Sequence, residues 1–144
     1  MIVKQPMPDK IFLDTNVLIY LYSEDEPEKA SIALKCAQEL NAWISTQVLN
    51  EVSHVMRRKQ KLAYSDVLKV VQELQSNFQV ATVTTRTIEQ ALLLGERYGY
   101  SYFDGLMLAS SLEQGCVILY SEDMQHGQTI EGSMRIINPF EGLR

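Results

Sequence analysis

Residues 10–22 read K-I-F-L-D-T-N-V-L-I-Y-L-Y, and the first five decide the fold. Lys10–Asp14 is a short apolar run that ends in a carboxylate, which predicts a first β-strand with an acid at its carboxyl end. Asn16–Tyr22 predicts a helical turn or two, broken by the acidic loop S-E-D-E-P-E at 23–28. Working outward, C-V-I-L-Y at 116–120 is a near-continuous apolar strand, and S121-E122-D123 follows it. Shorter strands are predicted at Trp43–Ser45, Phe78–Val83 and Arg135–Asn138. Between them lie helical patterns. One starts around Pro27, with Glu26 and Glu28 beside it, as suits a helix start. Others run from a Thr46 cap to about Gln60, onward from Ser65, from Thr85 to Gly99, and from Asp104 through Gln114. Short apolar strands separated by helices are the mark of a parallel sheet covered on both faces. The expected fold class is α/β: a three-layer α/β/α sandwich with a four- or five-stranded parallel sheet. In open sheets of this kind, sites form at the carboxyl ends of strands. Here two strands end in acids.

The chain has 144 residues, 46% hydrophobic and 22% charged, values that exclude a disordered or fibrous protein. It shows no repeat, low-complexity tract or linker, so one domain over 1–144 is expected. Val17–Tyr22 is far too short to span a bilayer. The start, MIVKQPMPDK, meets Pro6 and Pro8 without an apolar signal core, so a cytoplasmic location with no membrane contact is expected. Cys36 and Cys116 lie among apolar neighbours without ligand-like spacing and read as buried, reduced thiols. Thirteen basic against eighteen acidic residues leave a net charge of −5. A broad basic footprint for nucleic acid is thereby excluded. If the chain handles a polyanion, cations must be recruited locally.

Four acids stand out. Asp14 and Asp123 follow the two strongest strands and should point into one crevice, where unneutralised carboxylates shift each other's pKa. Alone, Asp14 could instead be a turn or helix cap, and Asp123 a solvated loop acid. Asp104, in Y-F-D-G-L-M-L-A, has the form of an N-cap. It is also the only charged residue between Arg97 and Glu113, a costly setting unless a cation or hydrogen bonds stabilise it. Glu51 lies near the start of its helix and could simply complement the macrodipole. Asn16 and Ser121 flank the acids and could orient a carboxylate or a metal-bound water. His54 and His126 read as ordinary. Arg57, Arg58, Lys59 and Lys61 form the one dense basic run, which reads as a solvated helix end or a strand-recruiting patch. Tyr98, Tyr100 and Tyr102 alternate near Asp104, suited to packing or to base stacking.

Taken together, I-F-L-D-T-N-V-L-I-Y at 11–20, S-T-Q-V-L-N-E-V at 45–52, Y-F-D-G-L-M-L-A at 102–109 and S-E-D-M-Q-H-G-Q at 121–128 resemble a PIN domain. More closely they resemble the VapC-type toxins of bacterial toxin–antitoxin pairs, over about Ile11 to Phe140. The resemblance implies a metal-dependent ribonuclease whose acids are Asp14, Glu51, Asp104 and Asp123, with Asn16 and Ser121 as polar helpers. Gly105 departs from the pattern, since such proteins more often carry Ala there. Glu122, beside Asp123, competes with it for the inward position.

Hard oxygen ligands without Cys or His select Mg²⁺ or Mn²⁺. Asp14 and Asp104 are expected as principal metal ligands, Asp123 as completing or holding a second site, and Glu51 as a water-mediated ligand or general base. The resemblance further implies an RNA substrate, a separately encoded antitoxin protein as partner, and a homodimer. Two other readings compete. A haloacid-dehalogenase-like phosphatase would need a second Asp where Asn16 stands. A non-catalytic PIN-like module binding RNA or protein would not need all four acids.

Overall fold

The computed structural model describes residues 8–143. The proline-interrupted start at 1–7, read above for a signal core, lies outside them. Strand β1 (Ile11–Leu13) is followed by α1 (Thr15–Leu21) and α2 (Pro27–Ala37), then β2 (Ala42–Ser45). Next come α3 (Thr46–Arg58), α4 (Tyr64–Asn77) and β3 (Gln79–Ala81). The chain continues through α5 (Thr85–Tyr98), α6 (Tyr102–Glu113), β4 (Ile118–Tyr120), β5 (Thr129–Ile130) and β6 (Met134–Ile137). The sheet order is β3-β2-β1-β4-β6-β5. The first five strands in that order are mutually parallel, as expected, and β5 adds a short antiparallel edge on β6.

The topology places the helices. From β1 the chain steps to β2 and then β3 in one direction, then crosses back past β1 to β4. Parallel crossovers are right-handed, so steps in opposite directions leave their helices on opposite faces. Accordingly α1, α2, α3 and α4 pack in one series and α5 packs on α6. Between the two layers the middle of the sheet is apolar, with Phe12, Leu13, Ile44, Leu119 and Ile136 fully buried. Each such side chain contributes roughly 1.5–3 kcal/mol on leaving water. Cys36 and Cys116 are free and buried, and burial pushes both thiols up to about 12. Among the described residues no helix is long and apolar enough to cross a membrane.

Helix α6 is buried without interruption over Gly105–Ser111. Its closest neighbour explains Gly105. A Cβ at that position would lie 2.4 Å from the carbonyl oxygen of Ala91 on α5. The expected departure from Ala is thus a packing requirement here: the two helices approach too closely for a methyl group. Gly105→Ala should therefore destabilise the fold by about 1–3 kcal/mol through overpacking, although Ala is the better helix former. Denaturant unfolding checks this, and an unchanged midpoint would show that α5 can yield.

Three local expectations need correction. Ser45, not Thr46, caps α3: its Oγ accepts from Val48 N–H at 3.3 Å, while Thr46 Oγ1 accepts from Val83 N–H in the loop after β3. Ser101, not Asp104, caps α6, its Oγ accepting from the backbone N–H of Asp104 at 3.2 Å. Asp104 therefore sits inside the first turn, its carboxylate beside the Ser101 cap and at the cleft. The strand over 78–83 is limited to Gln79–Ala81.

Candidate active site

Strand register assembles the centre of the site. In the β1–β4 pair Leu13 stands opposite Tyr120, so the next residues, Asp14 and Ser121, emerge side by side at the carboxyl ends. The Asp14 N–H donates to the Tyr120 carbonyl at 2.9 Å and extends the ladder to that point. Here the topology switches direction, since β2 lies on the other side of β1.

Asp14 is 5% exposed. Its Oδ1 accepts from Thr15 N–H at 2.7 Å, capping α1, and its Oδ2 accepts from Ser121 Oγ at 2.7 Å. The cap reading and the inward-facing reading are therefore both true of one side chain. Asn16 is tied to the neighbouring acid: its Nδ2 donates to Asp123 Oδ2 at 2.9 Å and its Oδ1 accepts from Glu122 N–H at 3.3 Å. Glu122 itself turns away. Its Oε1 accepts from Tyr20 Oη at 2.7 Å and its Oε2 pairs with Lys29 Nζ at 2.7 Å. Burial alone would raise the Glu122 pKa, but the Lys29 and Tyr20 hydrogen bonds outweigh it and hold the carboxyl below its ordinary value. Lys29, from α2, thus keeps one acid of the β4 loop out of the crevice. Nothing near Lys29 in the sequence signals that contact.

Asp14, Asn16, Glu51, Asp104 and Asp123 line one open cleft of about 320 Å³, and Ser121 lies buried behind Asp14. Helix α3 supplies one wall. Glu51, Val55 and Lys59 recur at intervals of four residues and so form one stripe along the helix, next to the buried stripe of Val48, Val52 and Met56. The first turn of α6 supplies the opposite wall with Phe103, Asp104 and Met107.

The acids share one electrostatic environment. Burial, reinforced by Asp104 and Asp123, pushes Asp14 up to about 6 against the pull of Ser121 and Thr15. Burial and the Asp14 charge push Glu51 up to about 7. Asp104 is also raised, chiefly by burial, with Asp123 adding repulsion. Among the described residues the ion pairs are Lys29–Glu122 and Arg97–Glu131, so none of the four acids has a basic partner in contact. Glu51 Oε2 and Thr15 Oγ1 are buried without a well-formed hydrogen bond, although Thr15 and Gln47 lie close enough to pull the Glu51 pKa down. An orphaned carboxylate oxygen facing three more acids has the chemistry of a site for a hard cation.

The remaining candidates separate clearly. Arg57 is spent on the α3–α4 turn, stacking 3.8 Å from the Tyr64 ring centroid and donating to the Leu62 carbonyl. It is thus unsuited to recruiting a strand, whereas Lys59 reaches the cleft. Tyr98 Oη accepts from Glu131 N–H, and Tyr100 Oη binds Gln128 and Gln125, so both tie down the β4–β6 connection. His126 Nδ1 accepts from Asn138 N–H. Phe103, passed over in the sequence as one more apolar flank of Asp104, is 56% exposed at the cleft.

Solved structures share this architecture. A toxin–antitoxin complex from Klebsiella pneumoniae superposes with a TM-score of 0.69 at 22% identity, covering 92% of this chain and 99% of that one. VapC20 of Mycobacterium tuberculosis, described as a sarcin-ricin loop cleaving toxin, gives 0.64 at 22% identity, covering 79% and 90%. FitAcB from Neisseria gonorrhoeae gives 0.61 at 17% identity, covering 91% and 99%. No curated protein sequence matches significantly. The family model for the PIN domain matches residues 11–129, a span running from β1 through the cleft acids to β5. By that match, with the parallel sheet and its carboxyl-end crevice, this chain belongs to the PIN domain family.

Proposed function

We propose that the chain is a metal-dependent endoribonuclease, the toxin of a toxin–antitoxin pair, hydrolysing RNA phosphodiester bonds at Asp14, Glu51, Asp104 and Asp123. The observation that carries this is the cluster of four acids at the sheet's switch point, without a basic partner in contact and with burial raising Asp14 and Glu51. An acidic cleft repels phosphate unless a divalent ion neutralises it. Among the described residues no three acids or imidazoles already stand at ligand spacing around one point. Water would fill the remaining positions, which is how Mg²⁺ is ordinarily held on one or two carboxylates. Asp14 and Asp104 are the principal ligands in this scheme, and Asp123 completes the site or holds a second ion. Bound there, Mg²⁺ or Mn²⁺ supplies a Lewis acid and lowers the pKa of a bound water.

The protein's own groups do the rest. Ser121 fixes Asp14 by donating to Oδ2, and Asn16 fixes Asp123 in the same manner. Glu51, on the wall of the cleft beside Asp14, can accept a proton from the attacking water. Lys59, at the far end of the same wall, draws the phosphodiester backbone toward the acids. A phosphatase of the haloacid-dehalogenase kind lacks its second carboxylate, since Asn16 spends its side chain on Asp123 and Glu122. Sequencing RNA ends from cells expressing the wild type and Asp104→Asn tests the assignment: new, discrete ends should arise with the wild type alone.

The structural neighbours include toxin–antitoxin complexes, and the same partner is proposed here, along with a homodimer. The four acids favour restraint by an Arg from the antitoxin, whose planar fork can engage two carboxylate oxygens. Partner and metal would then compete, and by linkage each would weaken the other's binding. Mn²⁺ should therefore lower antitoxin affinity, by about 5–150-fold, and Asp14→Asn should weaken the complex. Isothermal titration checks both. An affinity indifferent to metal and to Asp14→Asn would place the partner elsewhere.

A further inference from the structure

The acid cleft continues past Glu51. A second hollow of about 450 Å³ opens beside it, sharing Thr15, Glu51, Val55 and Phe103 with the cleft and adding Gln47, Asn50 and His54 from α3. This is within the range of small-molecule pockets, roughly 300–1,000 Å³. Phe103 stands between the two, 56% exposed, although the next turns of α6 are buried without interruption. The fold gains little from a large aromatic left in water at that position. Gln47 and Asn50 are joined by a long 3.5 Å hydrogen bond and Gln47 also reaches Glu51, while Asn50 keeps spare donors and acceptors.

We propose that this hollow is a nucleobase subsite: it takes one unpaired base of the RNA strand, next to the phosphate cut in the acid cleft. The inference rests on the ribonuclease reading above. Phe103 offers a ring face for stacking, and Gln47, Asn50 and His54 offer an edge for hydrogen bonds, the combination by which single-stranded RNA is read. Because the two hollows share Thr15, Glu51, Val55 and Phe103, a base held here lies beside the acids. A base held in a duplex is stacked away and cannot enter a recess. The lining is mostly apolar, which suits the face of a base, with Asn50 and His54 at hand for its edge. The expected substrate is thus a loop or single strand, cut beside a base that leaves its neighbours.

The test uses one synthetic single-stranded RNA with a mapped cleavage site, intact or abasic at a nucleotide flanking the cut, with Mn²⁺ present. Base stacking sets the scale of the effect, about ten- to a hundredfold in rate. The wild type should lose that factor on the abasic RNA. Phe103→Ala should lose it on the intact RNA and lose nothing further on the abasic one, while Phe103→Tyr stays within about twofold of wild type. Equal rates for wild type and Phe103→Ala on both RNAs would overturn the subsite and leave the ribonuclease reading standing. So would an equal loss on both RNAs, which would mean Phe103 acts through Asp104. Failure of the wild type to cut either RNA would overturn both.

Discussion

Asp14→Asn and Asp104→Asn should each lower RNA cleavage by about a thousandfold or more while leaving the protein folded. A ligand to a catalytic cation carries several kcal/mol of transition-state stabilisation, and each 1.36 kcal/mol is a factor of ten in rate. Neither change removes a structural contact that the amide cannot replace. Asn at position 14 keeps an oxygen for Thr15 N–H, and its Nδ2 can donate to a rotated Ser121 hydroxyl. At position 104 the helix cap belongs to Ser101, and Asn keeps an oxygen for the Ser101 side chain, so it forfeits a favourable first-turn charge, about 0.3–1 kcal/mol. Circular dichroism reports the fold and a product assay the rate. A folded, fully active Asp104→Asn protein would return that acid to a local role in its helix.

The second large effect is on stability. Asp14 is pushed up from 3.8 to about 6 and Glu51 from 4.5 to about 7, burial being the leading cause in both. Between about pH 4 and pH 7 the folded chain therefore binds more protons than the unfolded chain. Stability contributed by such groups is present at low pH and lost as pH rises through that window. For the buried Asp14 this amounts to as much as about 3 kcal/mol, or on the order of 5–10 °C in Tm. Metal-free protein should melt lower at pH 8 than at pH 4.5, and Mg²⁺ or Mn²⁺ should restore the difference by binding the ionised acids. Asp14→Asn should flatten the dependence and melt higher than the wild type at pH 8. Thermal melts with and without EDTA decide it: a wild type equally stable at both pH values, or one requiring metal to fold, would contradict the electrostatics described here.

Much of the architecture could be read from the sequence because the signals are local. Lys10–Asp14 and Cys116–Tyr120 are apolar runs ending near acids, and the parallel register Leu13–Tyr120 brings those ends together with no further information. The α6 cap was also available: S101-Y102-F103-D104 has the spacing of a capping Ser three residues ahead of an acid. Strand β5 was not, for two residues carry no periodicity. Its turn rests on left-handed Glu131 and Gly132, a primed hairpin with Glu where Asn or Asp usually stands. The orientation of Glu122 depends on Lys29 and Tyr20, far away in the chain, and no pattern around position 122 encodes them. The exposure of Phe103 is likewise a tertiary property. In sequence it differs little from the buried residues that follow it.

The claim on which the rest depends is that four carboxylates and a divalent ion cut RNA. The direct measurement is cleavage of single-stranded RNA by purified, antitoxin-free protein, titrated with Mg²⁺ or Mn²⁺ after EDTA treatment. The expected result is no cleavage in EDTA, saturable recovery with either ion, and no recovery in Asp14→Asn at any metal concentration. Full cleavage in EDTA, or an Asp14→Asn protein as active as the wild type, would contradict it.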